Sequence, residues 1–580
     1  MRRIKYIYCL IAVLFVLPVV SYAETPLYQS RIYEPVVILG SRLPDALSIP
    51  LDELFMYRYN AQSQSWSMMP FQVDERVYAE DQFIPGDPTA KQDFYFIPDD
   101  GLLDDNDELV FLIRDTGDKA RASDWIDNEE SKNYPRIEIT LRDPLYPDML
   151  SYAYLYRSST IDEPIPSPYH FDFDPTNHVI ETDNFRVRFN ESSGLIEDIS
   201  VLPPFGTGVD FFDTQKLRFV AVLDFGIINI AIGKNGTPAA NERDNLYMYD
   251  DYVEYTQHPV VRLIRQVREA VRFGDFVLDA GAFYVRTIFY PFSGTVSGGA
   301  TLDPDQLKEE FHTSEDIYVD MDLLRQSWDF NNDAIGMRFH NQYNQDILID
   351  GQPDEVNTRM DVPIQSWMLS TGDPGSFFSY VEFQDTAWQD IRLYYHDDLR
   401  GGQDDPTQID GGDTGDTLSY GDQGIVFYTS NQNKIDLRLG VTAYFLPANL
   451  SHSDGVQLAG WVEHPAHVSS QQNEYTTDVV RGRLSANPET IHMLHAYPNP
   501  FNPETHITLD VAKESSVSLD IYNIRGRHIC RLLDRQISDS PVTVQWNGTD
   551  SQHHSVSAGI YILVAHTNDE RLVRKVTLLP

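Results

Sequence analysis

Cysteine is nearly absent: of 580 residues only Cys9 and Cys530 carry a thiol. Cys9 falls in the N-terminal leader described below, so Cys530 is left alone and cannot close an internal disulfide. Without a disulfide the chain has to draw its stability from core burial, with bound ions as an optional second source. Basic residues are scarce as well, 44 Lys plus Arg against 88 Asp plus Glu, a formal net charge of -44. Such a charge repels phosphate backbones and anionic membrane surfaces, which excludes nucleic acid as the expected partner. Beyond the leader no apolar run reaches the roughly 18 residues of a spanning helix, so no transmembrane segment is expected in the mature chain. Metal-hydrolase and nucleophile signatures are missing too. There is no HExxH, no paired CxxC and no G-x-S-x-G elbow, and the nine histidines before residue 485 are scattered. The faint echo of a phosphate loop from Gly226 to Gly233-Lys234 has the wrong spacing and carries Asn235 where a hydroxyl is needed.

What is present begins with a leader. Arg2, Arg3 and Lys5 precede a mostly apolar stretch from Ile7 to Val20 and a small-x-small site at Ser21-Tyr22-Ala23, which predicts a signal peptide over residues 1–23. Period-two alternation dominates the remainder. Ile137, Ile139 and Leu141 alternate with polar residues, Tyr152, Tyr154 and Tyr156 share a face, and Phe185, Val187 and Phe189 alternate with arginines. The expected fold class is all-β: multidomain β-sandwiches with a small C-terminal sandwich. One stretch is ambiguous. Leu263, Ile264, Val267 and Val271 fit a helical stripe with Arg262, Arg265, Arg268 and Arg272 opposite, but the neighbouring β-branched and aromatic residues favour a long twisted strand.

Composition sets the boundaries. Pro164, Pro166 and Pro168 suggest a stiff linker closing an N-terminal β domain at residues 24–165, followed by a large β-sandwich at 166–484. Seven glycines and six aspartates between 401 and 424 predict a solvated or ion-dependent loop. Residues 485–580 hold 8 basic and 10 acidic residues, nearly balanced, whereas residues 24–484 hold 33 and 78. The tail is therefore a different object electrostatically.

That tail opens Tyr497-Pro498-Asn499-Pro500-Phe501-Asn502-Pro503 and continues in short alternating strands. Its prolines demand an extended entry along a sheet edge. Gly526 follows Asn523-Ile524-Arg525 where a hairpin needs positive φ, and Gly559 precedes Ile560-Tyr561. Together with Trp546 in the WNGTD segment and Lys575 in the closing RKVTLL, these residues resemble the C-terminal sorting domains of type IX secretion cargo. Those domains are related in pattern to the immunoglobulin-like domain of flagellar hook-capping proteins. His553 stands where relatives usually place a glycine. The resemblance implies an immunoglobulin-like sandwich over about residues 495–580, recognition by outer-membrane secretion machinery, and a secreted or outer-surface destination.

Elsewhere, two constellations could carry chemistry. The segment from Asp99 to Glu108 concentrates carboxylates before a strand, and Asp104, Asn106 and Asp107 are its candidate calcium ligands. The glycine of an EF-hand loop is absent, and turns of solvated carboxylates weigh more than calcium. Asp329, Asn331 and Asp333 alternate oxygens in the same way. The second constellation runs from Tyr247 to Arg272, where Tyr249, Tyr252, His258 and Arg265 are the candidate ligand-binding residues. A phenol or imidazole base beside a guanidinium is the chemistry of polysaccharide lyases. Paired carboxylates for glycoside hydrolysis cannot be selected among so many acids. The expectation is thus a non-catalytic passenger binding a polysaccharide or a protein, with a carbohydrate-active enzyme and a calcium-stabilised structural protein as alternatives.

Overall fold

Apolar residues recurring at every second position build antiparallel strands throughout a computed structural model of the chain. It describes residues 26–78, 93–94, 100–226, 229–232, 245–273, 276–302, 304–310, 312, 316–360, 365–383, 390–399, 419–428, 435–475, 491–497, 501, 504–511, 515–523, 527–537, 542–552, 554–566 and 571–579. The all-β class is as expected. The leader at 1–23 lies outside the described residues. No helix among the described residues is long and apolar enough to cross a membrane. The chain divides into two compact units, Met1–Tyr475 and Thr476–Pro580.

In the first unit, strands Arg136–Arg142 and Leu150–Arg157 pair at the centre of a five-stranded sheet, flanked by Leu54–Asn60 and Ser65–Met68 on one side. Ile137, Ile139 and Leu141 pack with Leu155 and Met56 against Val36, Ile38, Leu109 and Phe111. The latter four belong to a three-stranded sheet of Pro35–Leu39, Glu108–Leu112 and Gln72–Asp74. Tyr152, Tyr154 and Tyr156 do share the other face. Tyr154 and Tyr156, with Trp66 and Trp125, enclose Arg136, whose guanidinium lies 4.7 Å from the Tyr154 ring centre and 4.9 Å from that of Trp125. Desolvated cation–π contacts of this kind keep an arginine inside an aromatic cluster.

The other edge of this sheet is strand His467–Asn473, which pairs with Arg136–Arg142 across more than 320 residues of chain, as the Gln471–Glu138 bond at a separation of 333 shows. The boundary expected at 165 therefore separates segments that the structure joins, because proline-rich composition marks a linker without revealing which later strand returns to complete the sheet. Residues 166–446 form the intervening body. Its nine-stranded sheet runs, in spatial order, Leu246–Tyr255, Leu263–Phe273, Phe276–Phe289, Ser293–Leu302, Ile435–Leu446, Gly375–Phe383, Gln365–Gly372, Arg338–Asn341, Ile347–Leu348. A five-stranded sheet runs Asn229–Ile232, Phe212–Asp224, Tyr318–Phe330, Ser419–Tyr428, Asp390–Asp398, and a four-stranded one covers Phe171–Asp174 to Ile196–Val201. Phe212, Leu324, Trp328, Phe330, Ile425 and Phe427 join Phe289, Met368, Phe377 and Phe445 in the shared core.

Leu263–Phe273 is a strand, paired on both sides, so arginines spaced three apart fall on opposite faces instead of one stripe. The Gly/Asp-rich segment 401–424 lies outside the described residues up to 418, but Ser419–Tyr428 is a strand in which Gly421, Asp422 and Gly424 are buried. Glycine is required at Gly424 by close packing, since a Cβ there would meet the Gln326 carbonyl oxygen at 2.1 Å.

Helix His452–Glu463 starts at a capping box formed by Ser451 and Asp454 and lays Leu458 and Ala459 on Trp367, Phe378 and Tyr444 of the nine-stranded sheet. Arg31, fully buried, ties this helix to the N-terminal sheets. Its guanidinium holds Asp143 at 2.8 and 3.0 Å, Glu34 at 2.7 Å and the His464 carbonyl at 2.8 Å.

The second unit is a sandwich of two sheets. Ile491–Tyr497, Thr505–Val511 and Val542–Trp546 form one, and His528–Ile537, Ser515–Asn523, Gly559–His566 and Arg571–Leu578 the other. Ile507, Leu509, Val517, Leu519, Ile521, Leu563 and Val576 fill its core. Cys530 is buried there, and burial pushes its thiol up to about 11, which makes it inert.

Candidate functional site

The acidic segment before strand Glu108–Leu112 folds back on its own backbone. Asp107, fully buried, accepts the Arg76 N–H at 2.9 Å on one carboxylate oxygen and the Asp104 N–H at 2.7 Å on the other. The Asn106 side-chain amide donates to the Arg76 carbonyl. Gly40 N–H donates to the Asp107 carbonyl at 2.9 Å, and Ser41 N–H to that of Asp105 at 2.8 Å. The oxygens a calcium ion would need from Asp107 thus already accept amide protons, and this donor set does not fit the ion as it stands. Among the described residues no three His, Cys, Asp or Glu side chains converge on one point. Asp329, Asn331 and Asp333 diverge as well: Asp329 is buried against Lys216, whereas Asn331 accepts the Asp333 N–H and caps a short turn. Chelator treatment is expected to leave the thermal midpoint of the purified chain unchanged. A rise in midpoint on adding calcium would contradict this reading of the turn.

The Tyr247–Arg272 candidates do not come together as one group. Tyr249 is half-buried, edge-on to Tyr247 at 5.0 Å, with the Arg268 guanidinium 4.4 Å from its ring centre. Tyr252 is on the same strand, but its side chain lies outside the described residues. His258 is exposed in the turn that leads to Leu263–Phe273. The end of this turn is fixed from below, because the Gln72 side-chain oxygen accepts the N–H groups of Val260, Val261 and Arg262 at 3.0 to 3.2 Å. Arg265 is enclosed, 1% exposed, stacked 4.1 Å from the Phe189 ring centre with one terminal nitrogen 3.3 Å from the Met248 sulfur. A side chain so covered is structural in this arrangement and offers no face to a ligand.

Glu269 shares that enclosure, two strand repeats from Arg265. Burial pushes its carboxyl up to about 8 against the pull of Arg265, whose own value burial lowers to about 10. A carboxyl raised on folding holds its proton in the native state where the unfolded chain has released it. Its contribution to stability is therefore complete below the ordinary carboxyl range and is lost as pH climbs towards about 8, at up to about 1.4 kcal/mol per pH unit. Asp210 and Asp397, each raised by burial to about 6, act in the same direction. The chain should melt at a higher temperature at pH 5.5 than at pH 8. Glu269→Gln should shrink that difference, and an unchanged difference would show that Glu269 does not titrate in this window.

A cleft of about 650 Å³ opens where the four-stranded sheet meets the edge strand Leu246–Tyr255. Its walls include Tyr247 and Tyr255 from the strand and His178, Glu191 and Ser192 from the two turns of the smaller sheet. Tyr255 packs edge-on to Phe173 at 4.5 Å, and the Ser192 carbonyl accepts the Met248 N–H at 2.8 Å. Sequence reasoning reached the tyrosines of this strand but missed His178, Glu191 and Ser192. No sequence signal marked these three residues; in the structure His178 takes a left-handed conformation with φ 53° in the Thr176-Asn177-His178 turn.

In the tail, Phe501 is the anchor of the proline-rich opening. It forms a parallel bridge to Leu578, its N–H donates to the Thr577 carbonyl at 2.9 Å, and its own carbonyl accepts from Leu579 at 2.8 Å. Its ring lies 5.3 Å from Trp546, which lies 5.1 Å from Tyr561. Trp546 donates through its indole N–H to the Thr549 carbonyl at 2.9 Å, and Tyr561 through its hydroxyl to the Ser557 carbonyl at 2.6 Å. Gly559, with φ 150°, opens the strand that carries Tyr561. Tyr497 ends strand Ile491–Tyr497 opposite His506, and Lys575 sits opposite Ile562. Pro498, Asn499, Pro500, Asn502, Pro503, Gly526 and His553 lie outside the described residues.

Comparison with solved structures gives matches at low identity. The chain is 10% identical to dimeric latent PorU from Porphyromonas gingivalis, with 63% of this chain and 34% of that one covered and a TM-score of 0.16. It is also 10% identical to PorZ, described as an essential bacterial surface component of the type-IX secretion system of the same organism, with coverages of 82% and 67% and a TM-score of 0.12. A third match, at 8% identity with coverages of 71% and 90% and a TM-score of 0.13, is a truncated trimeric ectodomain of the C. elegans fusion protein EFF-1. The chain spans about a third of the length of PorU, and at these TM-scores the superpositions describe no shared fold. No curated protein matches the chain. The family described as the secretion system C-terminal sorting domain matches residues 495–578. Those residues, with Phe501, Trp546 and Tyr561 at their core, are a C-terminal sorting domain of the type IX secretion system, and the chain that carries them is a secreted or outer-surface cargo protein.

Proposed function

We propose that the passenger of this cargo protein is a non-catalytic binding module whose cleft beside strand Leu246–Tyr255 takes a saccharide segment of a polysaccharide. The carrying observation is the cleft itself, in which two tyrosines of one strand stand beside a histidine, a glutamate and a serine. Sugars present apolar C–H faces and rings of hydroxyls, so they are held by aromatic rings together with a few polar groups at the edge. The sorting domain engages the secretion machinery and delivers the chain to the place where such polymers are met. An immunoglobulin-like strand arrangement of the tail belongs to the same proposal, supported by the seven strands in two sheets and by the Tyr561 hydroxyl bond to an upstream carbonyl.

Binding to a panel of immobilised polysaccharides tests this reading. The wild-type chain should bind at least one member without releasing products, and Tyr255→Ala should weaken that binding about tenfold, as expected for loss of roughly 1.4 kcal/mol of ring contact. Binding unaffected by Tyr255→Ala and Tyr247→Ala would remove the cleft from the account. Release of unsaturated or hydrolysed products would replace a binding module with an enzyme.

A further inference from the structure

A fully enclosed charged cluster lies in the five-stranded sheet. Lys216, on strand Phe212–Asp224, projects its ammonium to 2.7 Å from Asp329 on strand Tyr318–Phe330 and 3.2 Å from Asp422 on strand Ser419–Tyr428. All three side chains are at most 1% exposed. The three strands are adjacent and antiparallel, and the sequence separation of Lys216 and Asp329 is 113 residues. The Tyr420 N–H donates to Asp329 Oδ1 at 3.1 Å, which leaves Oδ2 turned to the lysine. Asp422 Oδ1 has no hydrogen-bond partner among the described residues. A buried carboxylate oxygen left unsatisfied in this way is costly as plain structure and is a natural acceptor for a proton.

We propose that Lys216 and Asp329 condense to an intramolecular isopeptide bond, with Asp422 as the proton acceptor and shuttle. Burial drives the Asp329 carboxyl well above the ordinary carboxylate range against the pull of Lys216, so it is held as a neutral acid, the form open to attack. Asp422 takes a proton from the Lys216 ammonium. Nζ then attacks Cγ of Asp329, and the Tyr420 N–H stabilises the charge that develops on Oδ1. As the C–N bond forms, the Cγ–Oδ2 bond breaks. Asp422 returns its proton to the departing hydroxyl, which leaves as water, and takes up the second proton of the nitrogen. The balance is an ammonium, a carboxylic acid and the Asp422 carboxylate giving an amide, water and a neutral Asp422, with no oxidant or cofactor. Fixed proximity in a water-excluded site supplies the driving geometry. The product ties two strands of the passenger covalently, a role that disulfides fill in other exported proteins and that a chain with one lone thiol cannot give to cysteine.

Tryptic mapping of the purified full chain under denaturing conditions tests the proposal. The expected result is a linked species in which residues 326–338, containing Asp329, are joined to residues 189–218, uncleaved after Lys216, at the summed mass less one water. Complete recovery of residues 326–338 as a free peptide, with cleavage after Lys216, would overturn it. Asp422→Asn, whose side chain cannot take the proton, should yield only the unlinked peptides from protein that still melts cooperatively. Linked peptides from that variant would overturn the assignment of Asp422 while leaving the bond itself demonstrated.

Discussion

Replacing Trp546 with alanine is expected to cost the C-terminal sandwich about 3–5 kcal/mol, the range for removing a fully buried large aromatic side chain. Trp546 is 1% exposed, touches both Phe501 and Tyr561, and satisfies its indole N–H on the Thr549 carbonyl. It therefore links the proline-rich opening to the strand that Gly559 begins, and the cavity left behind would loosen both. A unit of roughly 100 residues holds only about 5–15 kcal/mol in total, so such a loss unfolds a large share of the population at growth temperature. Urea melts of the segment beginning at residue 476 should show the shift directly, and cells should retain the variant chain inside the outer membrane. Phe501→Leu, which keeps most of the buried volume, should export at close to the wild-type level. An exported Trp546→Ala chain with an unfolded tail would mean that the machinery reads sequence and not fold.

The second large effect is expected at Arg31. Its guanidinium compensates Asp143, which is buried, and Glu34, at 12% side-chain exposure, and it also binds the carbonyl that ends helix His452–Glu463. Arg31→Met fills a similar volume but strands the two carboxylates, which costs about 3–5 kcal/mol when one partner of a buried pair is removed. The double variant Arg31→Met with Asp143→Leu should recover part of that loss, because one stranded charge is gone. Thermal melts of the two variants beside wild type decide the matter. A double variant less stable than the single one would show that Arg31 acts through packing and not through charge.

The sequence was most legible where each residue acts through its own strand. Period-two alternation located Arg136–Arg142 and Leu150–Arg157 and placed the three tyrosines 152, 154 and 156 on one face, while β-branched and aromatic neighbours tipped Leu263–Phe273 to a strand. The tail was legible because its turn residues and aromatic anchors recur in a fixed order within one short segment. What escaped depends on partners distant in sequence. Nothing local tells that His467–Asn473 returns to pair with Arg136–Arg142, or that Arg265 is capped by the Phe189 ring. The acidic segment misleads for the same reason: Asp104, Asn106 and Asp107 have the composition of ion ligands, while their hydrogen bonds go to Arg76 and to the turn itself. Asp329 and Asp422 sat in stretches read as solvated loops, yet both are enclosed beside Lys216, a pairing visible only once three strands are laid side by side.

The most direct measurement of the central claim is the fate of a reporter that carries the leader at its N-terminus and residues 485–580 at its C-terminus, expressed in a bacterium with a type IX system. The account predicts that it reaches the medium or the outer surface, and that the same reporter with Trp546→Ala stays in the periplasm. Equal periplasmic retention of both constructions would contradict it.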